Sequence, residues 1–285
     1  MLAAAAALAG VAADPAELIR DGSNELYRLP GDVVARVGPV GSSDVAAKEA
    51  AVSRWLNGSG LPAARLIDGV EQPTVAEGRP VTWWALIPEH RSATPAELGA
   101  VLRSLHALPI PDHLALPEVD PLSGVADRID AATFLDPGDR VWLRRHLAAV
   151  TARLDRLPAG RPRCVIHGDA WQGNIAVPDD GHPILLDLEN VAVGHQECDL
   201  VSMAVDHVDF ARVSDEDYAG FRAAYGGPDI LTWPGFRDLA DAQELRWTAF
   251  ALSKADATER ALQQARHRIA CLRGEVDRPW TWSAL

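Results

Sequence analysis

One short segment carries most of the residues whose types and spacing suit chemistry. Residues 164–200 read CVIHGDAWQGNIAVPDDGHPILLDLENVAVGHQECDL. His167 and Asp169 follow a short apolar run, and Asn174 comes five residues after Asp169. Asp187 stands at the end of a later apolar run. The segment therefore supplies two carboxylates and an amide at the ends of apolar stretches.

These residue types suit phosphoryl transfer. A carboxylate such as Asp169 can accept or orient the proton of an attacking hydroxyl group. The amide oxygen of Asn174 and the carboxylate of Asp187 can hold Mg²⁺, a hard cation that prefers oxygen ligands. A metal ion held there bridges phosphates and neutralises developing charge, while the protein mainly positions the reactants.

Short strands and turns are expected to bring these side chains together. The apolar residues 164–166 predict a short buried strand. Residues 175–177 and 184–186 flank the turn-forming stretch 178–181, which predicts a hairpin with a loop longer than two residues. The polar side chains then lie at loop or strand edges, where rigid elements can direct them into one cleft.

The segment resembles the aminoglycoside phosphotransferase and choline-kinase-like families of small-molecule kinases. His167, Asp169 and Asn174 match their HGDxxxxN motif, residues 187–189 match a metal-binding D-x-D/E, and residues 194–200 resemble G-x-x-x-x-D-L. The resemblance implies an ATP-dependent kinase that uses Mg²⁺. It also implies an α+β, bilobal protein-kinase-like fold with a small mixed β-sheet lobe and a larger, mostly helical lobe.

The resemblance implies lobe boundaries and a role for each matching residue. The nucleotide-binding lobe would cover residues 1–88, and the catalytic and substrate-binding lobe residues 89–285. Asp169 would be the catalytic base. The metal ligands would be Asn174, Asp187 and, as an auxiliary ligand, Glu189. The structural residues of the site would be His167, which holds the loop, and Asp199, which ties it to the next helix.

The N-terminal stretch supplies candidate nucleotide contacts. Residues 1–13 predict a short first helix that packs on the N-terminal lobe. The resemblance places Ser23 and Asn24 in the loop over the nucleotide phosphates, and Arg36 in the following strand as the cation that contacts them. The sequence departs from the protein-kinase pattern, because it lacks GxGxxG and has Arg in place of Lys. The alternative is a hairpin with an exposed arginine.

A helix predicted over residues 46–56, with Ser43 or Asp44 as its cap, carries Glu49 in its first turns. The resemblance pairs this glutamate with Arg36. The alternative is a solvated glutamate near Arg54 on the helix surface.

An apolar strand is predicted over residues 81–87, with a break at Pro88. This placement fits a hinge between the lobes. In the resembling families the hinge backbone binds the adenine ring, which here implies contacts near Ile87 and Glu89. The stretch Thr94 to Glu97 then predicts a capping box at the start of a helix.

The region after Asp199 is helical and acidic. In the resembling kinases it forms the wall of the acceptor site, where carboxylates bind ammonium groups and tryptophan can stack on a cation or sugar. The candidate acceptor residues are Asp206, Asp209, Asp241, Glu244 and Trp247. The alternative is a charged solvent face with core tryptophans, which is the commoner situation for any single residue.

Composition limits the partners. The 285-residue chain has 40 acidic and 27 basic residues and a net charge of −13. This charge disfavours nucleic acid, because phosphate binding depends on clustered Lys and Arg. It favours a small cationic partner, although acidity that serves only solubility explains it equally well. No stretch suits a membrane helix, and three widely spaced cysteines indicate reduced thiols in a cytoplasmic protein.

The sequence therefore predicts an ATP-dependent O-phosphotransferase that acts on a hydroxyl of a small, cationic molecule. An aminoglycoside or another basic antibiotic is the leading acceptor, which would make the enzyme a resistance factor. The alternatives are a metabolic kinase for an amino sugar or amino alcohol, and a non-catalytic nucleotide-binding pseudokinase. ATP and GTP are not distinguished, and we expect a monomer or homodimer.

Overall fold

The N-terminal part is built on one five-stranded antiparallel sheet. The computed structural model describes residues 1–283. In chain order the elements are α1 (Leu2–Ala9), β1 (Glu17–Arg20), β2 (Glu25–Leu29), β3 (Val33–Val37), α2 (Ser43–Gly58), β4 (Thr74–Ala76) and β5 (Arg79–Ala85). The strands are ordered β1-β2-β3-β5-β4 in the sheet.

Strand alternation gives this sheet two different faces. In β3, Ala35 and Val37 are fully buried and belong to the same apolar cluster as Ala5 of α1. Arg36, between them, contacts Glu49 of α2 on the opposite face, because successive side chains of a strand point to opposite sides. The predicted first helix thus covers one face, and the other face carries polar groups toward α2.

The C-terminal part is mostly helical and contains two small sheets. Its elements are β6 (His90–Ser92), α3 (Pro95–His106), α4 (Val125–Ala131), α5 (Pro137–Leu154), β7 (Arg163–Ile166), β8 (Ile175–Pro178), β9 (Ile184–Leu185), β10 (Ala192–His195), α6 (Glu197–Val208), α7 (Asp215–Tyr225), α8 (Phe236–Lys254) and α9 (Glu259–Leu272). Short 3₁₀ turns cover Gln172–Asn174, Leu188–Asn190 and Ile230–Thr232. The two sheets have the strand orders β10-β7 and β6-β8-β9.

The division into a sheet-based N-terminal part and a helical C-terminal part confirms the predicted α+β class. Within residues 1–283, no helix combines the length and apolar character that crossing a membrane requires.

Two predicted boundaries differ from the structure. The strand predicted over 81–87 ends at Ala85, and residues 86–89 form an irregular connection to β6. The backbone N–H of Leu86 donates to the carbonyl of Asp32 at 2.7 Å, while Pro88 has no N–H to continue a ladder. The helix around Glu49 is longer than predicted and begins after Ser42, whose side chain makes no capping bond. The predicted lobe boundary at residue 88 lies in this connection and stays a prediction.

Helix α8 is the central element of the C-terminal part. Ten of its 19 residues are buried, and it packs against α4, α5, α6 and α9. A helix enclosed on so many sides has little freedom to shift, because close-packed interiors leave few voids. The side chains of α8 that contact other elements are therefore attached to a rigid backbone.

The predicted capping box at the start of α3 is confirmed. The hydroxyl of Thr94 accepts from the N–H of Glu97 at 3.2 Å, and the carboxylate of Glu97 accepts from the N–H of Thr94 at 2.7 Å. Arg91 donates to both oxygens of that carboxylate at 2.7 Å. The hydrogen bonds from Arg91, which outweigh the raising effect of partial burial, lower the pKa of Glu97 to about 2.

Glu97→Gln should lower stability at neutral pH by about 1 kcal/mol, the usual scale for a helix cap. The pKa of Glu97 in the folded protein lies below its ordinary value of 4.5. Ionised Glu97 therefore stabilises the fold fully at a pH above 4.5, and this stabilisation is lost as the pH falls toward 2. Thermal unfolding at neutral pH and near about pH 3 measures the difference. An equal difference at both pH values would contradict the assignment.

Candidate active site

The loop over residues 167–174, called the HGD loop below, holds Asp169 and Asn174 side by side. It follows β7 and ends in the 3₁₀ turn that carries Asn174. The amide nitrogen of Asn174 donates to the backbone carbonyl of Asp169 at 2.9 Å and lies 3.5 Å from its Oδ2. Because the nitrogen faces Asp169, the amide oxygen is left as the atom that can bind a ligand.

Gly168 is required by the path of this loop. Its φ is +79°, in the left-handed region that side chains rarely adopt. A Cβ built at this position would also collide with the backbone carbonyl of Asn190. The glycine of the motif therefore allows the HGD loop to pack directly against the turn that follows Asp187.

The β8–β9 hairpin brings Asp187 beside Asn174. The register pairs Ile175 with Leu185, and the N–H of Leu186 donates to the carbonyl of Asn174 at 2.9 Å. Asp187 has a φ of +52°, a conformation that aspartate tolerates better than most residues. Its Oδ1 is buried without a hydrogen-bond partner, and its nearest cation is the guanidinium of Arg36 at 3.7 Å.

Arg36 lies close to three carboxylates, including that of Asp187. It forms an ion pair with Glu49, donates to Oε2 of Glu189 at 2.7 Å, and lies 3.7 Å from Oδ1 of Asp187. The amide oxygen of Asn24, in the orientation that satisfies both groups, accepts from Arg36 at 2.7 Å. Three carboxylate side chains thus share one guanidinium at this point.

Burial shapes the electrostatics beside Arg36. Loss of hydration raises the pKa of Glu49 to about 7, although attraction to Arg36 acts in the opposite direction. Burial also lowers the pKa of Lys48, whose ammonium group donates to the carbonyl of Val191 at 3.1 Å. The sequence interpretation missed Lys48, because a lysine next to a glutamate on a helix is usually a surface residue.

A cavity of about 380 Å³ opens next to Arg36. Its lining includes Ser23, Asn24, Arg36 and Glu189, with the first turn of α2 on one side. Its volume falls in the range of about 300–1,000 Å³ that small-molecule sites occupy. The two remaining nucleotide candidates, Ile87 and Glu89, lie in the 86–89 connection and do not line this cavity. Their contact with adenine stays a prediction.

Asp199 holds the backbone at the start of the HGD loop. Its two oxygens accept from the backbone N–H groups of His167 and Gly168 at 2.7 and 2.8 Å. His106 lies 3.0 Å from the same carboxylate and 2.9 Å from the hydroxyl of Tyr225. Burial alone would raise the pKa of Asp199, but the hydrogen bond from His106 and the nearby imidazoles outweigh it and keep the pKa below its ordinary value.

His167 has both ring nitrogens occupied. Nε2 lies 2.8 Å from the carbonyl of Leu186, so it carries the proton and donates. Nδ1 accepts from the N–H of Asp169 at 3.3 Å. The ring is fully buried and links the HGD loop to the end of β9. These are the contacts of a structural residue, the role that the resemblance implies.

Asp199→Asn should lower the free energy of unfolding by roughly 2–4 kcal/mol, because one oxygen becomes an NH₂ group that faces a backbone N–H. The midpoint temperature should fall by roughly 2–4 °C for each kcal/mol. Tyr225→Phe, which removes only the outer hydroxyl of this network, is the control and should cost about 1 kcal/mol. Equal midpoints for Asp199→Asn and the wild type would contradict the support role.

Arginines neutralise the acidic residues predicted to bind the acceptor. Burial raises the pKa of Glu244 to about 7, against the lowering effect of Arg237 and Arg278. The pairs are Asp206 with Arg212, Asp209 with Arg237 and Arg278, Asp241 with Arg153 and Arg237, and Glu244 with Arg237 and Arg278.

Trp247 is partly buried and packs edge-on against Phe210, with 5.7 Å between ring centroids. These residues thus make internal contacts, as in the alternative of a charged face with core tryptophans. Their contact with an acceptor stays a prediction.

Arg246 is the main site residue that sequence reasoning missed. This α8 side chain donates from Nη2 to Oδ1 of Asp169 at 2.8 Å and from Nη1 to the carbonyl of Gly168 at 3.0 Å. No motif marks it, because it lies 77 positions from Asp169 along the chain. Only its place on the central helix brings it to the HGD loop.

The chain is similar to known proteins in its sequence pattern and in its fold. A family model described as "APH: Phosphotransferase enzyme family" matches residues 16–239. No curated protein matches the chain by sequence.

Three solved structures show the same architecture at low sequence identity. An amicoumacin kinase in complex with AMP-PNP and Ca²⁺ is 12% identical, with a TM-score of 0.70 over 97% of this chain and 93% of that chain. A choline/ethanolamine kinase family protein from Mesorhizobium loti is 17% identical, with a TM-score of 0.61 over 94% and 90%. A spectinomycin phosphotransferase is 13% identical, with a TM-score of 0.59 over 93% and 90%. These likenesses confirm the kinase-like fold.

Proposed function

Because the chain belongs to the APH phosphotransferase enzyme family, we propose that it transfers the terminal phosphoryl group of ATP to a hydroxyl group of a small molecule. One observation carries the proposal. Asp169 and Asn174 share the HGD loop, and Asp187 follows the adjoining hairpin. Arg36 of the N-terminal sheet approaches Asp187 to 3.7 Å. A proton acceptor, two oxygen ligands and a phosphate-binding cation are the groups that this transfer requires.

The oxygen atoms at Asn174 and Asp187 fit a magnesium ion. Oδ1 of Asp187 is buried without a hydrogen-bond partner, and the nitrogen of Asn174 is held by Asp169. Within residues 1–283, no group of three or more His, Cys, Asp or Glu side chains forms a metal cluster. Few protein ligands suit Mg²⁺, which usually binds one or two carboxylates and substrate phosphates. When bound, it would neutralise charge on the phosphates.

In this proposal, Arg36 would bind the nucleotide phosphates. Glu49 orients its guanidinium from α2, and the adjoining cavity is lined by Ser23 and Asn24. Arginine can replace the usual lysine here, because its planar group donates to two phosphate oxygens at once. Glu189 also holds Arg36, so phosphate binding at Arg36 would compete with this contact.

Asp169 would accept the proton of the acceptor hydroxyl. One of its oxygens, Oδ1, is already bound by Arg246. The other, Oδ2, has only a long contact to Asn174 and is the atom that would take the proton. The carboxylate belongs to a loop held by Asp199 and His167, so its position is set before the acceptor binds.

We propose a cationic acceptor, such as an aminoglycoside or another basic antibiotic, supported by the net charge of −13. A singly charged amino alcohol or amino sugar is the second candidate. It is favoured by the arginine pairing of Asp206, Asp209, Asp241 and Glu244, which leaves fewer free carboxylates for a polycation. The predicted cytoplasmic location and monomeric or dimeric state stay predictions.

A panel assay tests both the reaction and the acceptor class. Mg²⁺-dependent turnover of ATP, and of GTP in parallel, would be measured with aminoglycosides, basic peptide antibiotics, amino sugars and amino alcohols, with Asp169→Asn as the blank. We expect turnover with one acceptor class that the variant abolishes. A higher kcat/KM for singly charged acceptors would select the second candidate. Nucleotide binding without turnover on any acceptor would contradict the proposed reaction.

A further inference from the structure

Arg246 lies where the central helix α8 meets the HGD loop. We propose that it is a positioning residue for phosphoryl transfer, which holds Oδ1 of Asp169 and so presents Oδ2 to the acceptor hydroxyl. This inference rests on the proposed function. It adds a requirement for a cation from a distant helix, which none of the sequence motifs contains.

The two oxygens of Asp169 are in different environments. Oδ1 receives a charge-assisted hydrogen bond of 2.8 Å from Arg246. Oδ2 lies 3.5 Å from the amide nitrogen of Asn174, at the outer limit for a hydrogen bond. The Asp169 side chain is 38% exposed, so a ligand can approach the weakly bound oxygen. Arg246 therefore makes the carboxylate asymmetric and fixes which oxygen is available.

The contact also fixes the backbone that carries Asp169. Nη1 of Arg246 donates to the carbonyl of Gly168 at 3.0 Å, and Gly168 has the left-handed φ described above. One guanidinium thus binds both the carboxylate and the adjacent peptide group. Only arginine has a planar fork of donors for two such acceptors.

Helix α8 holds the backbone of Arg246 rigidly. The next residue, Trp247, accepts at its carbonyl from Arg268 of α9 at 2.8 Å. Two positions earlier, Glu244 is buried and paired with Arg237 and Arg278. The Arg246 side chain is only 24% exposed, so it has few other conformations to adopt. A side chain on such a support can hold a reacting group within the tolerance that catalysis needs.

Charge gives Arg246 a second effect on the reaction. A carboxylate beside a nucleoside triphosphate is repelled by the negative charge of the phosphates. The guanidinium at 2.8 Å from Asp169 offsets this repulsion, and Coulomb interactions at such distances are strong near a protein surface. Arg246 therefore allows the carboxylate and the phosphates to approach the same acceptor.

Substitutions at Arg246 can show whether this residue positions Asp169 or only stabilises the fold. Arg246→Ala should lower kcat by about 10- to 100-fold, the scale for a misplaced reacting group, with little change in KM for the nucleotide. Arg246→Lys should recover only part of kcat, because lysine cannot bind both acceptors in the same geometry. Millimolar guanidinium should partly restore Arg246→Ala. Arg144→Ala, which removes an exposed pair with Asp130 between α4 and α5, is the control and should remain at wild-type kcat with no guanidinium effect.

Amide hydrogen exchange over residues 167–174 provides a readout that needs no turnover. Exchange should be faster in Arg246→Ala than in the wild type or Arg144→Ala. If the wild type turns over no acceptor, the proposed reaction fails. Faster amide exchange over residues 167–174 in Arg246→Ala than in the wild type would even then support the role of Arg246 in positioning Asp169. Wild-type kcat or wild-type exchange in Arg246→Ala would overturn the proposal. A loss of kcat that neither lysine nor guanidinium restores would overturn it in favour of general structural support.

Discussion

Asp169→Asn should lower kcat by about 10²- to 10⁴-fold, the usual contribution of a positioned proton acceptor, and should leave nucleotide affinity essentially unchanged. The amide has the shape of the carboxylate but cannot take the hydroxyl proton. The carboxylate of Asp169 is not among those that surround Arg36, which belong to Glu49, Asp187 and Glu189. Nucleotide binding should therefore survive the substitution while the chemical step is lost.

Steady-state kinetics with the acceptor found in the panel, together with calorimetric titration of the nucleotide, measures the two effects separately. Asp179→Asn is a matched control, because it makes the same chemical change at an exposed aspartate in the loop between β8 and β9. It should behave as the wild type in both measurements. Retained turnover in Asp169→Asn would exclude this carboxylate as the base.

Asp187→Asn should weaken Mg²⁺-dependent nucleotide binding by about 10²-fold or more, because even outer-shell changes at metal sites cost about 10- to 100-fold. The variant keeps the shape of the side chain, and asparagine also tolerates the left-handed backbone found at Asp187. It removes the charge from the buried Oδ1. The expected loss is thus one of metal binding, without a distorted loop.

The same variant should not be less stable than the wild type when metal and nucleotide are absent. Asp187, Glu49 and Glu189 surround a single Arg36. Removing the charge of Asp187 relieves its repulsion with Glu189 and with the partly ionised Glu49. Arg36 keeps its closer pairs with these two glutamates, so little attraction is lost. With Mg²⁺ and nucleotide added, the wild type should gain thermal stability through binding, and the variant should gain much less.

Thermal unfolding with and without Mg²⁺ and nucleotide tests both halves of this prediction. Glu189→Gln is the comparison, because Glu189 is a direct partner of Arg36 and only the auxiliary metal ligand that the resemblance implies. It should lose less of the stabilisation that the metal-bound nucleotide provides. An Asp187→Asn protein that gains as much stability as the wild type would remove Asp187 from the metal site.

Local sequence was a good guide wherever short-range geometry determines the contacts. Asp169 and Asn174 share one loop, where the amide bonds to the backbone five residues before it. Asp187 joins them because a hairpin of set register returns the chain to the same place. The pairing of Arg36 with Glu49, which the resemblance implied, has its physical basis in strand alternation and in the helix that comes next. In each case few residues separate the partners, so a motif with its spacing already describes the geometry.

Contacts between distant segments were less accessible to sequence reasoning. The candidate acceptor carboxylates after Asp199 looked like a surface for a cation. Arginines from α5, the connection between α6 and α7, α8 and the C-terminal segment neutralise them. Asp209, for example, is paired with Arg237 and Arg278 and is almost fully buried. Charge counts give the excess of carboxylates, but they do not show which cation each carboxylate meets.

The sequence by itself determined the family resemblance, the α+β division and the set of polar residues that one loop and one hairpin present. Only the tertiary structure decided what surrounds them: His106 beneath Asp199, Arg246 against Asp169, and the arginines that neutralise the acidic helices. The physical reason is the range of the forces involved. Backbone hydrogen bonds and turns act between near neighbours in the chain, whereas long charged side chains meet partners that helix packing brings close.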